Sequence, residues 1–187
     1  MEEDIRNSLK ILKSGGIILY PTETIWGIGC DATSEGAVKR ISQIKKRADV
    51  KSLLVLLDDP GKLHHYVKII PDIAWELINI ADRPLTIIYP QGKNLARDLL
   101  HGDGSVGIRI TSDNFCKNLI TRLGRPIVST SANISGENPP VNFKEIPDSI
   151  KASMDYIVRW RQDDKAKGMP SAIIKLGIHG EVEIIRK

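Results

Sequence analysis

The sequence predicts an α/β (α+β) fold, a single domain over residues 1–187 built around a mixed sheet. Three observations carry this reading. Helical and strand-like segments alternate early in the chain, strand-like runs dominate late, and no repeat, low-complexity tract or linker divides the 187 residues. That length suffices for one domain with a real core.

The elements follow in order. Ile5, Leu9 and Leu12 recur at helical spacing, and Gly15-Gly16 ends that helix. Ile17-Ile18-Leu19-Tyr20 reads as a buried strand, stopped by Pro21, which opens the polar loop Thr22-Glu23-Thr24. Thr33 or Ser34 caps a second helix carried by Val38, Ile41 and Ile44. That helix delivers Lys45-Lys46-Arg47 at its C-terminal end, where cations complement the helix dipole. Residues 53–57 form the next buried strand, and residues 60–67 and 71–81 read as helical. Strands follow at 85–89 and 106–110, joined by a polar, Gly-containing connection. Ser112 caps a helix bearing Phe115, Leu119, Ile120 and Leu123, which ends at Gly124. Residues 127–130 form a strand, 136–140 a loop by composition, and 156–158, 172–174 and 182–185 the last strands. Residues 161–168 read as a charged loop.

Composition bounds the function. Hydrophobic residues at 41% and charged residues at 27% fit a soluble globular protein. No run approaches the roughly 20 apolar residues that span a bilayer. The acidic start Met1-Glu2-Glu3-Asp4 lacks a signal-peptide pattern. A cytoplasmic protein with no membrane partner is expected. Cys30 and Cys116 give neither a disulfide framework nor a zinc pattern and read as small buried side chains. His64, His65, His101 and His179 lack partners at metal-ligand spacing, so no protein-bound metal is expected. A net charge of +4 fits contact with a nucleotide or nucleic acid, but the charges are mixed along the chain and do not choose between them.

Two short segments suggest a site. Lys45-Lys46-Arg47, followed by Lys51, offers fixed cations just before a buried strand. Ser129-Thr130-Ser131-Ala132-Asn133 offers hydroxyls and an amide at a strand's carboxyl end, where open α/β sheets bind ligands. Cations facing hydroxyls suit an anionic, phosphate-bearing substrate. The plainer alternatives are a solvated helix end and local turn chemistry; Thr22 and Thr24 share the second ambiguity. Arg109 sits inside an apolar strand, where an unpaired charge is costly. It requires an anion, either a protein carboxylate or a substrate carboxylate. Phosphate loops, dinucleotide fingers, nucleophile elbows and zinc-protease motifs are absent. An enzyme on this chain would work by positioning and charge stabilisation.

Residues 15–32, GGIILYPTETIWGIGCDA, resemble the opening signature of the YrdC family, the threonylcarbamoyl-AMP synthases. Lys45-Lys46-Arg47 resembles that family's K-x-R element and Ser131-Ala132-Asn133 its S-x-N element. Pro84-Leu85-Thr86, Gly107-Ile108-Arg109-Ile110 and residues 170–174, PSAII, match further blocks in order, so the resemblance spans nearly the whole chain. It implies a YrdC-like domain, a twisted sheet flanked by helices around a concave, basic cavity. It implies synthesis of threonylcarbamoyl-adenylate and pyrophosphate from L-threonine, bicarbonate or CO2, and ATP with Mg2+. The product would pass to a threonylcarbamoyl transferase complex that modifies tRNA. Lys45 and Arg47 would be catalytic. Together with Lys51 they would hold the ATP phosphates, with Ser131, Asn133 and Arg186 also at the nucleotide. Thr22, Arg109, Ser129 and Ser171 would bind threonine. The chain departs from the pattern at Trp26 (usually Tyr), Ala48 and Ser52 (Pro), Arg83 (Gly) and Thr111 (Pro). The competing reading is a non-catalytic protein that binds double-stranded RNA or tRNA on the same fold. A paralogue that has lost efficient synthesis is a third.

Overall fold

The computed structural model describes residues 1–45, 53–164 and 168–187. Among them, nine strands form one mixed sheet: β1 (Ile18–Tyr20), β2 (Gly27–Gly29), β3 (Leu54–Leu57), β4 (Leu85–Tyr89), β5 (Val106–Ile110), β6 (Ile127–Ser131), β7 (Tyr156–Ile157), β8 (Ala172–Leu176) and β9 (Val182–Arg186). Their order across the sheet is β7-β1-β2-β6-β3-β5-β4-β8-β9. The β1–β7, β3–β5 and β4–β8 pairs are parallel; the other neighbours are antiparallel. The expected α/β single domain is therefore the observed architecture.

Six α-helices accompany the sheet: α1 (Glu2–Lys13), α2 (Glu35–Ile44), α3 (Leu63–Tyr66), α4 (Ile73–Ile80), α5 (Asn114–Leu123) and α6 (Asp148–Ala152). Helix α1 buries Ile5 and Leu12 and packs on α5 and β1. Its buried Asp4 accepts from the Tyr156 hydroxyl at 2.7 Å and the Arg159 N–H at 2.9 Å, which holds β7 in place. Among the described residues, no helix is long and apolar enough to cross a membrane.

Local differences from the sequence reading have physical causes. Ser34, not Thr33, caps α2, accepting from the Ala37 N–H, while the Thr33 hydroxyl is held by Asp31 at 2.7 Å. Asp113, not Ser112, caps α5, its carboxylate accepting from the Cys116 N–H at 2.9 Å. Gly124 closes α5 at a φ of 70°, the left-handed turn that glycine adopts without strain. Residues 60–67 split into a 3-10 turn, Pro60–Lys62, and the single turn α3. Strand β2 and helix α6 escape the pattern because one is two glycines around an isoleucine and the other is five residues long.

Glycine in β2 is a steric requirement. A Cβ at Gly29 would lie 2.5 Å from the Val128 carbonyl oxygen and 2.6 Å from the Tyr20 ring. The Tyr20 hydroxyl donates to that same carbonyl at 3.0 Å, so ring, carbonyl and glycine form one fitted unit. Both cysteines are buried and free, as the sequence suggests.

One contact ties the end of α2 to the end of β6. Lys45 caps α2 and is 1% exposed. Its ammonium donates to the carbonyl oxygens of Ser131 at 2.5 Å and Asn133 at 2.8 Å. The two segments that the sequence sets apart as cations and hydroxyls thus meet through a buried charge on backbone dipoles.

Two stability outcomes follow from these contacts. Gly29→Ala lowers the unfolding free energy by about 1–3 kcal/mol, because the new methyl has no space; urea denaturation measures it. Lys45→Met leaves the Asn133 carbonyl without its ammonium donor, while the Ser131 carbonyl keeps the Asn133 N–H at 2.9 Å, and costs about 1–3 kcal/mol in the same measurement. A Lys45→Met protein as stable as the parent would show the Asn133 carbonyl to be satisfied by another donor.

Candidate active site

An open cleft enclosing about 800 Å³, solvent at its mouth included, lies over one face of the sheet. Strand register sets its floor. Arg109 on β5 stands opposite Thr86 on β4, Thr86 opposite Ile173 on β8, and Ile173 opposite Arg186 on β9. Directly paired residues share a face of the sheet, so these four form one row, and all line the cleft. On the other side, Ser131 stands opposite Gly27 and Ser129 opposite Leu54, and these too line it. Gly27 and Gly107 leave the floor low, where a ligand can approach the backbone.

Arg109 is the most constrained charge in the site. Its side chain is 4% exposed, and its Nε lies 2.9 Å from Oε1 of Glu23, itself 11% exposed. The anion demanded by an arginine in an apolar strand is thus, in the protein alone, a protein carboxylate. The second oxygen of Glu23 accepts from the Thr111 hydroxyl at 2.8 Å. Arg186 donates through Nε to the Ser171 carbonyl at 2.9 Å. Burial, and then the neighbouring Arg109 charge, pull its guanidinium below the ordinary value. A buried guanidinium beside a second cation favours a bound anion. The hydroxyls of Ser171 and Thr86 share a hydrogen bond of 2.8 Å beside the two arginines.

Of the residues singled out from sequence, the structure places Arg109, Ser129, Ser131, Ser171 and Arg186 on the cleft wall. Three others stand behind it. Thr22 spends its hydroxyl on its own loop, donating to the Ile25 carbonyl at 2.8 Å and accepting from the Thr24 N–H at 3.0 Å. Its neighbour Thr24 lines the cleft instead. Lys45 is engaged by the two β6 carbonyls. Asn133 donates to the carbonyls of Ile134 and Glu137, while its own buried Oδ1 accepts no hydrogen bond. Arg47 and Lys51 lie outside the described residues.

The cleft also holds residues that sequence reading did not assign to it: Thr86, His101, Pro139 and Pro170. Thr86 carries a signal, a hydroxyl within an apolar strand, but its meaning depends on pairing with Arg109. His101 sits in a Gly/Asp-rich connection without any sequence pattern; its Nδ1 lies 3.0 Å from the Ser105 hydroxyl. Trp26 lines the cleft and stacks at 4.8 Å on Phe143. The start of the charged 161–168 segment is tied down. Arg161 adopts a φ of 66° and donates to the Thr22 carbonyl at 3.1 Å and to Asp113 at 3.2 Å. Burial pushes both thiols well above their ordinary value, so neither Cys30 nor Cys116 is a ready nucleophile. Among the described residues, no three His, Cys, Asp or Glu side chains converge as metal ligands.

Comparison with known proteins agrees with this geometry. The chain is 32% identical over 160 residues to a threonylcarbamoyl-AMP synthase of Pseudoalteromonas translucida, covering 84% of this chain and 86% of that protein. It superposes on Sua5 of P. abyssi complexed with L-threonine with a TM-score of 0.83 and 29% identity, over 94% of this chain. It spans only about half of that structure, 52% of its length. YciO of E. coli matches with a TM-score of 0.84 and 25% identity, over 100% of this chain and 90% of its own. Residues 10–187 match the Sua5/YciO/YrdC family model, described as telomere recombination. The chain belongs to the Sua5/YciO/YrdC family.

Proposed function

We propose that this chain is a threonylcarbamoyl-AMP synthase, a nucleotidyltransferase that joins L-threonine, bicarbonate or CO2, and ATP into threonylcarbamoyl-adenylate and pyrophosphate. The observation that carries the reading is the row Arg109–Thr86–Ile173–Arg186 on the cleft floor. It sets two guanidiniums and the Thr86 hydroxyl, which Ser171 meets at 2.8 Å, where an amino acid and an anion can lie side by side. Relatives that bear the synthase name over most of their length support it.

Arg109 takes the threonine carboxylate with the terminal nitrogens of its fork, since Nε faces Glu23. Ser129 and the Ser171–Thr86 hydroxyl pair meet the polar atoms of the same substrate. Ser131, Asn133 and Arg186 serve the nucleotide, and Arg47 and Lys51 hold the phosphates. Lys45 serves the nucleotide through the loop whose carbonyls it fixes, so the S-x-N segment is presented in one conformation. Mg2+ enters with ATP.

The threonine amine attacks CO2 and loses a proton to become a carbamate; from bicarbonate the same carbamate forms as one C–O bond breaks and water leaves. A carbamate oxygen attacks the α-phosphorus, and pyrophosphate leaves with the bonding pair. The protein supplies no nucleophile. It holds the reactants together and stabilises the charge that builds on the phosphate. Threonylcarbamoyl-adenylate then goes to a separate transferase complex acting on tRNA, a step that suits a cytoplasmic protein.

Two outcomes check this reading. Purified protein with bicarbonate and ATP–Mg releases pyrophosphate only when L-threonine is added; release without threonine, or none at all, overturns it. Arg47→Ala keeps the melting temperature and loses about 100-fold or more in turnover. A parental rate in that variant would remove Arg47 from the site.

A further inference from the structure

We propose that Thr111 and Glu23 are positioning residues that aim Arg109 at the substrate carboxylate; the inference rests on the synthase reading. A buried guanidinium is held where its paired carboxylate is held. Glu23 Oε1 lies 2.9 Å from Nε as an ion pair without hydrogen-bond geometry, inside the protein, where neither partner has solvent to turn into. Charge balance alone would need only one carboxylate oxygen. The other is also taken, by the Thr111 hydroxyl at 2.8 Å. With Oε2 held by that hydroxyl the carboxylate is fixed in place, and the arginine charge paired with Oε1 is fixed with it.

Thr111 is itself anchored twice. Its N–H donates to the Leu57 carbonyl at 2.9 Å, which fixes it to the end of β3. Its hydroxyl also accepts from the Asp113 N–H at 3.3 Å, at the cap of α5. The alignment of the cleft arginine therefore rests on two frame elements, β3 and α5. Proline, the residue usual at this position of the family pattern, has neither a hydroxyl nor an N–H. It can make none of the three bonds. At this position the chain carries a hydroxyl that holds the Glu23 carboxylate.

The test compares threonine and ATP as separate readouts. KM for each, and threonine binding by calorimetry, are measured for the parent, Glu23→Gln, Thr111→Val and Thr111→Ser. Glu23→Gln raises the threonine KM by about tenfold or more, and Thr111→Val by roughly three- to tenfold, the loss of a hydrogen bond to a charged group. The ATP KM stays within about twofold in both. Thr111→Ser keeps the hydroxyl and restores the parental threonine KM. Should Glu23→Gln fail to fold, the Val and Ser variants at position 111 decide the matter alone. Equal rises in both KM values, or lower melting temperatures with unchanged threonine affinity, would mean a structural role and overturn the inference. So would a Thr111→Ser protein that behaves like Thr111→Val. A parent protein that neither binds nor requires threonine removes the synthase reading and this inference together. A parent that binds it while the variants bind it equally removes the inference alone.

Discussion

A guanidinium on a buried strand stays charged only if an anion lies within reach, because taking the charge out of water costs several kcal/mol before any partner is counted. Strand β5 places Arg109 in that position, and the site is organised around the consequence. Glu23 comes from the loop between β1 and β2, so that loop must close against β5. Thr111 orders Glu23, Asp113 orders Thr111 and caps α5, and Arg161 bridges Asp113 back to the Thr22 carbonyl. The result is a closed circuit of polar contacts that starts from one arginine and returns to the loop bearing its partner. Such networks hold one arrangement because a half-satisfied member would be more costly than none.

Sheet register does the remaining work. Pairing of β5, β4, β8 and β9 aligns Arg109, Thr86, Ile173 and Arg186, although they span 100 positions from 86 to 186 along the chain. A slip of one residue would turn the whole row to the other face and empty the cleft of both arginines. Burial first, and the Arg109 charge second, lower the pKa of Arg186, and an anion bound in the row offsets both.

Lys45 shows how a residue can belong to a site without facing it. As part of a basic cluster at a helix end it suggests a phosphate ligand. In the fold its ammonium is withdrawn behind the wall and holds the carbonyls of Ser131 and Asn133. The hydroxyl segment after β6 owes its shape to that charge. Thr22 behaves alike: its hydroxyl shapes the loop, and Thr24 beside it reaches the cleft.

Fold class, most strands and the longer helices were legible because each has a period or an apolar run of its own. Arg109 was legible as a charge out of place, and the ordered motifs pointed to one family. Strand β2, helix α6 and the caps at Ser34 and Asp113 were less so, since two glycines, a five-residue helix and adjacent capping residues carry little local preference. The sequence by itself determined that a mixed sheet forms, that Arg109 needs an anion and, through its ordered motifs, which family the chain resembles. Tertiary structure alone decided that the anion is Glu23, that Lys45 supports rather than lines the cleft, and that Thr86 and His101 join it. Those outcomes depend on which strands pair and in what register, and on contacts between residues far apart in the chain. No local pattern encodes them.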